Sequence, residues 1–171
     1  MIDLLRTRRS VRRFDDRPIA AEQVTLLEEA LLRAPTSRNS KPCRFVLVQG
    51  RARVSPLAAC KPSGAAFLAD APLAAVICGD PSISDMWIED GSIAATFLQL
   101  EAHALGLGSC WAQVRGRPHD EATDAEGWVR GHLGLPPHLR VLCIVGLGHP
   151  AEEKPGWPAD ALAPERITRA V

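Results

Sequence analysis

Four arginines and a serine lie close together near the start of the chain, within residues 8–14. An arginine side chain presents a planar fork of N–H donors that fits the oxygens of a phosphate group. Beside a helix end, the amide and hydroxyl of Ser10 would add neutral donors for the same anion. This segment, the first loop, suggests a site for the phosphate and part of the ring of a bound cofactor. Taken alone, it fits a solvated basic patch better.

A second polar loop, residues 36–42, connects a strong helix pattern to a strand pattern, with Pro35 ending the helix. Each loop adjoins a helix end, and no set of residues along the chain forms a complete acid–base or nucleophilic constellation. Binding loops without such machinery indicate that a cofactor performs the chemistry, while the protein supplies position and electrostatics.

Residues 146–151 formally match the dinucleotide-binding pattern G-x-G-x-x-A after a predicted strand. That pattern requires a helix directly after it and an acidic residue about 20 positions further on. Pro150, Pro155 and Pro158 interrupt any such helix. We therefore reject dinucleotide binding at this segment.

Metal, hydrolase and nucleic-acid sites are also disfavoured. The five histidines show no H-E-x-x-H spacing and no cysteine pairing, so no metal site is predicted. Ser10, Ser37 and Ser92 lack the G-x-S-x-G elbow of a hydrolase. Cys110, inside a predicted strand, is better explained as a core residue than as a nucleophile. The arginine-rich residues 6–17 lack an aromatic ladder, and 20 basic residues balance 20 acidic ones, which disfavours nucleic-acid binding.

With 171 residues, of which 46% are hydrophobic, the chain fits one domain over residues 1–171. The five cysteines are widely spaced and mostly lie in apolar runs, which predicts reduced thiols rather than disulfides. No secretory h-region opens the chain, and no apolar run approaches the roughly 18 residues of a membrane span. We therefore expect a cytoplasmic protein without membrane attachment.

Hydrophobic periodicity predicts alternating helices and strands. Helices are expected over residues 2–9, 21–34, 88–105 and 120–133, with short helices over 53–60 and 64–69. Strands are expected over residues 44–49, 73–79, 109–114 and 139–145, before an extended tail from about residue 150. This irregular alternation indicates an α+β or α/β protein with a central sheet. The helix over 88–105 is apolar on two faces, which must be covered by the core or by a partner subunit.

Residues 8–14 followed by residues 34–42 resemble the paired opening motifs of the flavin-dependent nitroreductase family. The resemblance continues through later segments and spans nearly the whole chain: residues 71–72, the helix over 90–105 with residues 106–109, and the ending at residues 145–150 with Lys154. It implies an α+β, nitroreductase-like fold with a central mixed β-sheet flanked by helices. It also implies a homodimer with one FMN at each of two sites across the interface, and a tail, about residues 150–171, that wraps the partner subunit.

The residues that the resemblance implies in cofactor binding come from four parts of the chain. They are Arg8, Arg9, Ser10 and Arg12 for the phosphate and flavin, Pro35, Thr36, Ser37 and Asn39 for the flavin of the other subunit, Gln113 near flavin N5, and Lys154 at the phosphate. No residue is expected to act as a catalytic acid or base. Arg12 is the candidate for stabilising negative charge near O2 of the reduced ring.

Two departures from the family pattern concern the site directly. Cys43 stands where the family commonly has tryptophan, which alters the packing below the second loop. The tail has Gly156-Trp157-Pro158 and no clear Pro-x-Arg, so the second phosphate ligand is not identified.

The activity implied by the resemblance is ping-pong hydride transfer. NADH or NADPH would reduce flavin N5 and leave, and a small acceptor such as a nitroaromatic or a quinone would replace it. The alternative is a flavin-binding protein with little turnover, acting as carrier, sensor or flavin-processing partner. The sequence leaves open the nicotinamide, the physiological acceptor, and the choice between nitro reduction and other flavin chemistry.

Overall fold

The computed structural model describes residues 1–170, and Val171, the last residue of the predicted tail, lies outside them. The helices are α1 (Ile2–Thr7), α2 (Ala21–Arg33), α3 (Arg51–Val54), α4 (Trp87–Ala104) and α5 (Ala125–Leu133). The strands are β1 (Cys43–Gln49), β2 (Leu73–Gly79), β3 (Gly108–Gln113) and β4 (Arg140–Gly148). Short 3₁₀ turns occur at Ser37–Asn39, Ser55–Cys60, Ala66–Asp70, Ala159–Ala161 and Pro164–Arg166.

The four strands form one sheet in the order β1-β2-β4-β3, and all three ladders are antiparallel. The predicted α+β class is confirmed, but the sheet is not mixed as expected. The one parallel pairing among the described residues is an isolated bridge from Ser10 of the first loop to Ser109 of β3. Periodicity identifies strands but not their direction, and β4 inserts between β2 and β3, antiparallel to both.

The sheet separates two apolar layers. On one face, α2 and α4 pack through residues such as Leu27, Leu31 and Leu98. On the other, the 3₁₀ turns and α5 pack through residues such as Leu57 and Val129. Every residue of β2 is buried, as expected for a strand covered on both faces.

Two element boundaries differ from the prediction for local reasons. Helix α5 begins at Ala125 rather than near Asp120, because the Asp120 carboxylate accepts the amides of Ala122 (2.8 Å) and Thr123 (2.7 Å) in a turn. Asp124 then caps the helix by accepting the Gly127 amide at 2.6 Å. Helix α1 ends at Thr7, two residues early, which leaves the first loop extended.

The chain beyond β4 returns along the first loop. The Asp15 amide donates to the His149 carbonyl at 3.0 Å, and the Ala151 amide donates to the Arg13 carbonyl at 2.9 Å. No α-helix follows residues 146–151 in the described chain, consistent with rejecting a dinucleotide fingerprint there. Within residues 1–170, no helix is long and apolar enough to cross a membrane.

Candidate functional site: a cationic cavity and a strained loop

The first loop is fixed at the start of β3. Ser10 bridges to Ser109, and the Val11 amide donates to the Ser109 carbonyl at 3.0 Å. Val11 packs directly on Gly108, where a β-carbon would lie 2.7 Å from a Val11 methyl group. This close approach requires glycine and buries Val11, while Arg12 next to it stays exposed.

A cavity of about 190 Å³ lies between the first loop, the end of α4 and the returning tail. Its basic groups are Arg8, Arg9 and Lys154, and the same wall carries His103. Burial, followed by the nearby Arg8 cation, lowers the pKa of His103. The cavity thus has the donors and the positive charge that suit an anionic group.

One acidic side chain, which sequence analysis missed, lies within this basic cavity. The Glu152 carboxylate accepts the Arg12 amide at 2.6 Å and the Lys154 ammonium at 2.8 Å. The same ammonium donates to the Ser10 carbonyl at 2.9 Å. The Arg12 amide, and then Lys154, lower the pKa of Glu152, so it is ionised at neutral pH. Its position two residues before Lys154 was the only sequence signal for it.

Cys110 lies under the same site. Burial raises the pKa of its thiol, while Arg12, Lys154 and the Ser10 hydroxyl act in the opposite direction. Ser10 bridges to Ser109, the preceding residue of β3, and Lys154 donates to the Ser10 carbonyl. The thiol is buried and protonated, in agreement with its interpretation as a core residue.

The second loop has an unusual backbone. Arg38, Asn39 and Lys41 have φ values of 52°, 54° and 51°, the left-handed region that L-residues rarely adopt. Two contacts within the loop support it: the Lys41 amide donates to the Thr36 hydroxyl at 3.1 Å, and the Ser40 hydroxyl donates to the Ser37 carbonyl at 2.7 Å.

A third contact comes from Asp90 of α4, a second residue that sequence analysis missed. Its Oδ1 accepts the Ser37 amide at 2.9 Å, and the residue is only 3% exposed. Its Oδ2 is buried and has no hydrogen-bond partner in the described chain. A cavity of about 400 Å³ beside Asp90 is also lined by Pro35, Thr36 and Asn39. All four predicted second-loop residues therefore lie together.

Cys43, at the position where the family commonly has tryptophan, lies beside Trp87 of α4. Its thiol donates to the Trp87 carbonyl at 3.9 Å, and burial, followed by the Asp90 charge, raises its pKa to about 11. The Trp87 ring in turn covers Gly79, where a β-carbon would fall 2.6 Å from it. An indole from a different element thus packs next to Cys43 below the second loop.

The two loops lie at opposite ends of the sheet. The first pairs with Ser109, whose partner in β4 is Leu147. The second leads into Cys43, which pairs with Gly79, whose own partner is Arg140 at the start of β4. Seven strand residues separate those two positions of β4, which corresponds to about 24 Å. One chain therefore does not bring the two groups of predicted residues together.

Gln113 ends β3, four residues or about 13 Å beyond Ser109. Its side chain accepts from the Trp111 indole at 3.0 Å and donates to the Arg115 carbonyl at 2.9 Å. These contacts hold the side chain within its own strand end, away from the cationic cavity.

Some chemistry-bearing residues form no site. His119, Trp128 and His132 stack as three rings, with centroids 5.2 and 4.9 Å apart. Within residues 1–170, no group of three or more His, Cys, Asp or Glu residues could hold a metal ion.

The fold and the two loops define an α+β protein with a cationic cavity and a separate, strained polar loop. The family model of nitroreductases matches residues 5–66 and 61–149. A protein from Archaeoglobus fulgidus, provisionally named an NADH dehydrogenase/NAD(P)H nitroreductase, is 35% identical over 173 residues, which cover 98% of this chain and 96% of that protein. The chain belongs to the nitroreductase family.

Other relatives agree with this assignment. The structure of an FMN-dependent nitroreductase from Clostridium difficile matches with a TM-score of 0.96 at 38% identity, covering 99% of this chain and 98% of that chain. A Bacillus subtilis protein named as an FMN reductase using NAD(P)H is 27% identical over 190 residues, covering 95% of this chain and 72% of that protein. The predicted nitroreductase-like fold is confirmed.

Proposed function

We propose that this protein is an FMN-dependent oxidoreductase that transfers hydride from NAD(P)H to a small acceptor by a ping-pong mechanism. The acceptor would be a nitroaromatic, a quinone or a similar compound. The observation that carries this proposal is the cationic cavity formed by the first loop and the tail. It is supported by similarity to proteins named as an FMN-dependent nitroreductase, an NAD(P)H nitroreductase and an FMN reductase.

The residues present fit an FMN phosphate. Arg8, Arg9 and Lys154 bring three cations to the cavity, against the single carboxylate of Glu152. Charged donors of this kind bind phosphate oxygens more strongly than neutral donors do. The Ser109 carbonyl and the Ser10 segment fix the loop on β3, so these donors are held before the ligand arrives.

FMN bound here would supply the hydride-transfer chemistry. The protein would bind and orient the cofactor and stabilise the negative charge that forms on its ring. Arg12, exposed beside the cavity, would neutralise negative charge at the pyrimidine edge of the ring. Gln113 lies at the end of β3, and the strand backbone there would lie near flavin N5, the atom that exchanges hydride.

The complete site would be formed by two subunits. The second loop is about 24 Å along the sheet from the first, and this separation supports a role at the cofactor of a partner chain. An apolar surface suitable for such a partner is present, since Leu32 of α2 and Ile93 and Phe97 of α4 are 77%, 38% and 40% exposed. Further along the tail, Leu162 and Ile167 are 63% and 71% exposed, as expected for a segment that wraps a second chain.

We therefore propose a homodimer of single-domain chains, residues 1–171. The tail, about residues 150–171, would first follow the first loop of its own chain as far as Trp157 and then cross to the partner. Pro35, Thr36, Ser37 and Asn39 would contact the partner's flavin. A cytoplasmic location stays a prediction from the sequence.

Titration of the flavin-free protein with FMN tests the proposal. We expect saturation at one FMN per chain, and steady-state rates with NAD(P)H and a quinone that give parallel double-reciprocal lines. A protein that takes up no FMN contradicts the proposal. Stoichiometric binding without turnover of nitroaromatic or quinone acceptors would support the carrier or sensor alternative instead.

A further inference from the structure

We infer that Trp157 is a positioning residue for the phosphate cavity. Its indole holds the Arg9 guanidinium at the cavity, and the protein thereby distinguishes FMN from riboflavin, which lacks the phosphate. This inference rests on the proposed function and assigns a role to a residue that no comparison identifies.

Two contacts from the tail orient Arg9. The guanidinium carbon lies 4.4 Å from the centroid of the Trp157 ring, within cation–π range. The same guanidinium donates a hydrogen bond to the Pro155 carbonyl. These contacts occupy one face and part of the N–H fork, which has five N–H groups in all. Donors therefore remain for a ligand in the cavity that Arg9 lines.

The backbone of Gly156 explains why the tail can present an indole at this place. A β-carbon on Gly156 would overlap the carbonyl oxygen of Arg6 at the end of α1. The tail therefore passes against α1 at a distance that only glycine permits, and Trp157 follows at once over Arg9. Upstream, the Lys154 ammonium donates to the Ser10 carbonyl at 2.9 Å and fixes the same part of the tail.

Arg9 matters because the other tail cation is partly neutralised. Lys154 is paired with Glu152 at 2.8 Å. Among the described residues, neither Arg8 nor Arg9 lies within ion-pair distance of a carboxylate. These two arginines are the uncompensated cations of the cavity. An unrestrained arginine side chain loses conformational entropy when it binds a ligand. Because Arg9 is already stacked on Trp157, part of this entropy cost is absent from the free energy of FMN binding.

The experiment compares FMN and riboflavin binding to the protein by flavin fluorescence titration. Without the stacked indole, FMN binding itself must order the Arg9 side chain, so Trp157→Ala should weaken FMN binding about threefold to tenfold. Riboflavin affinity should stay unchanged. Trp157→Phe keeps an aromatic face and should restore most of the FMN affinity. Glu165→Gln, which changes an exposed side chain of the same tail, is the control and should change neither affinity.

A double-mutant cycle adds a second test. If Trp157 acts through Arg9, Trp157→Ala should have no further effect on FMN affinity in an Arg9→Ala background. Equal losses for FMN and riboflavin, additive losses in the cycle, or unchanged FMN affinity in Trp157→Ala would each overturn the inference. A wild-type protein that binds neither flavin would overturn the proposed function itself.

Discussion

Removal of the Asp90 carboxylate should release the second loop. Three L-residues in the left-handed region cost roughly 1 kcal/mol each, so the loop stores about 3 kcal/mol of strain. The charge-assisted hydrogen bond from the Ser37 amide to Asp90 stabilises the loop by about 1.5–3 kcal/mol and so offsets this strain. Asp90→Ala would leave that amide without its acceptor. We expect a loss of about 2 kcal/mol in the free energy of unfolding and about tenfold weaker FMN binding.

Two further variants separate the possible causes. Asp90→Asn keeps an acceptor for the Ser37 amide and should cost only about 1 kcal/mol. Glu89→Ala removes an exposed acidic residue from the same first turn of α4 and controls for the interaction with the helix dipole. Urea unfolding and FMN titration measure both quantities. The reasoning is refuted if Asp90→Ala unfolds like Glu89→Ala, or if the loss of stability leaves FMN affinity unchanged.

The remaining predictions concern the first loop and its contacts, with one comparison variant in α5. Glu152→Gln should lower the free energy of unfolding by about 1 kcal/mol at neutral pH. Contacts in the folded protein lower the pKa of Glu152 from its usual 4.5, so the difference from wild type in urea unfolding should shrink as the pH falls below that value. Gly108→Ala should lower the free energy of unfolding by about 1–3 kcal/mol through overpacking against Val11, and it should weaken FMN binding. Gly131→Ala, whose β-carbon would have no atom within 4 Å, should instead stabilise α5 by up to about 1 kcal/mol in thermal unfolding. Arg8→Ala and Arg12→Ala should each weaken FMN binding by about 1.5–3 kcal/mol, and unchanged affinity in both would show that the site is misplaced.

Elements governed by local pattern were predictable from the sequence. The continuous apolar run gave β2 with its correct bounds, Leu73–Gly79, and the apolar stripe of α2 gave its start at Ala21 and its end within one residue. Strand β4, in contrast, runs to Gly148, three residues past its predicted end. The prediction stopped before Gly146 and Gly148, but a β-carbon at Gly148 would lie 2.9 Å from the Phe14 ring. The need for that glycine arises from a contact with a distant segment.

In the site too, some residues were predictable from the sequence and others depend on contacts between distant segments. The first-loop residues Arg8, Arg9 and Ser10 lie together with the tail residue Lys154, and their role in cofactor binding stays a prediction. Asp90 and Glu152 were missed because their roles depend on which backbone amides approach them after folding. Spacing along the chain carries no information about those approaches, since the amide donors lie 53 and 140 residues away.

The measurement that tests the central claim most directly is anaerobic titration of the FMN-loaded protein with NADH and with NADPH, followed by addition of a quinone. We expect one of the two nicotinamides to bleach the flavin absorbance near stoichiometry, and the quinone to restore it without nicotinamide present. A flavin that neither nicotinamide bleaches, or that the acceptor does not reoxidise, would contradict the account.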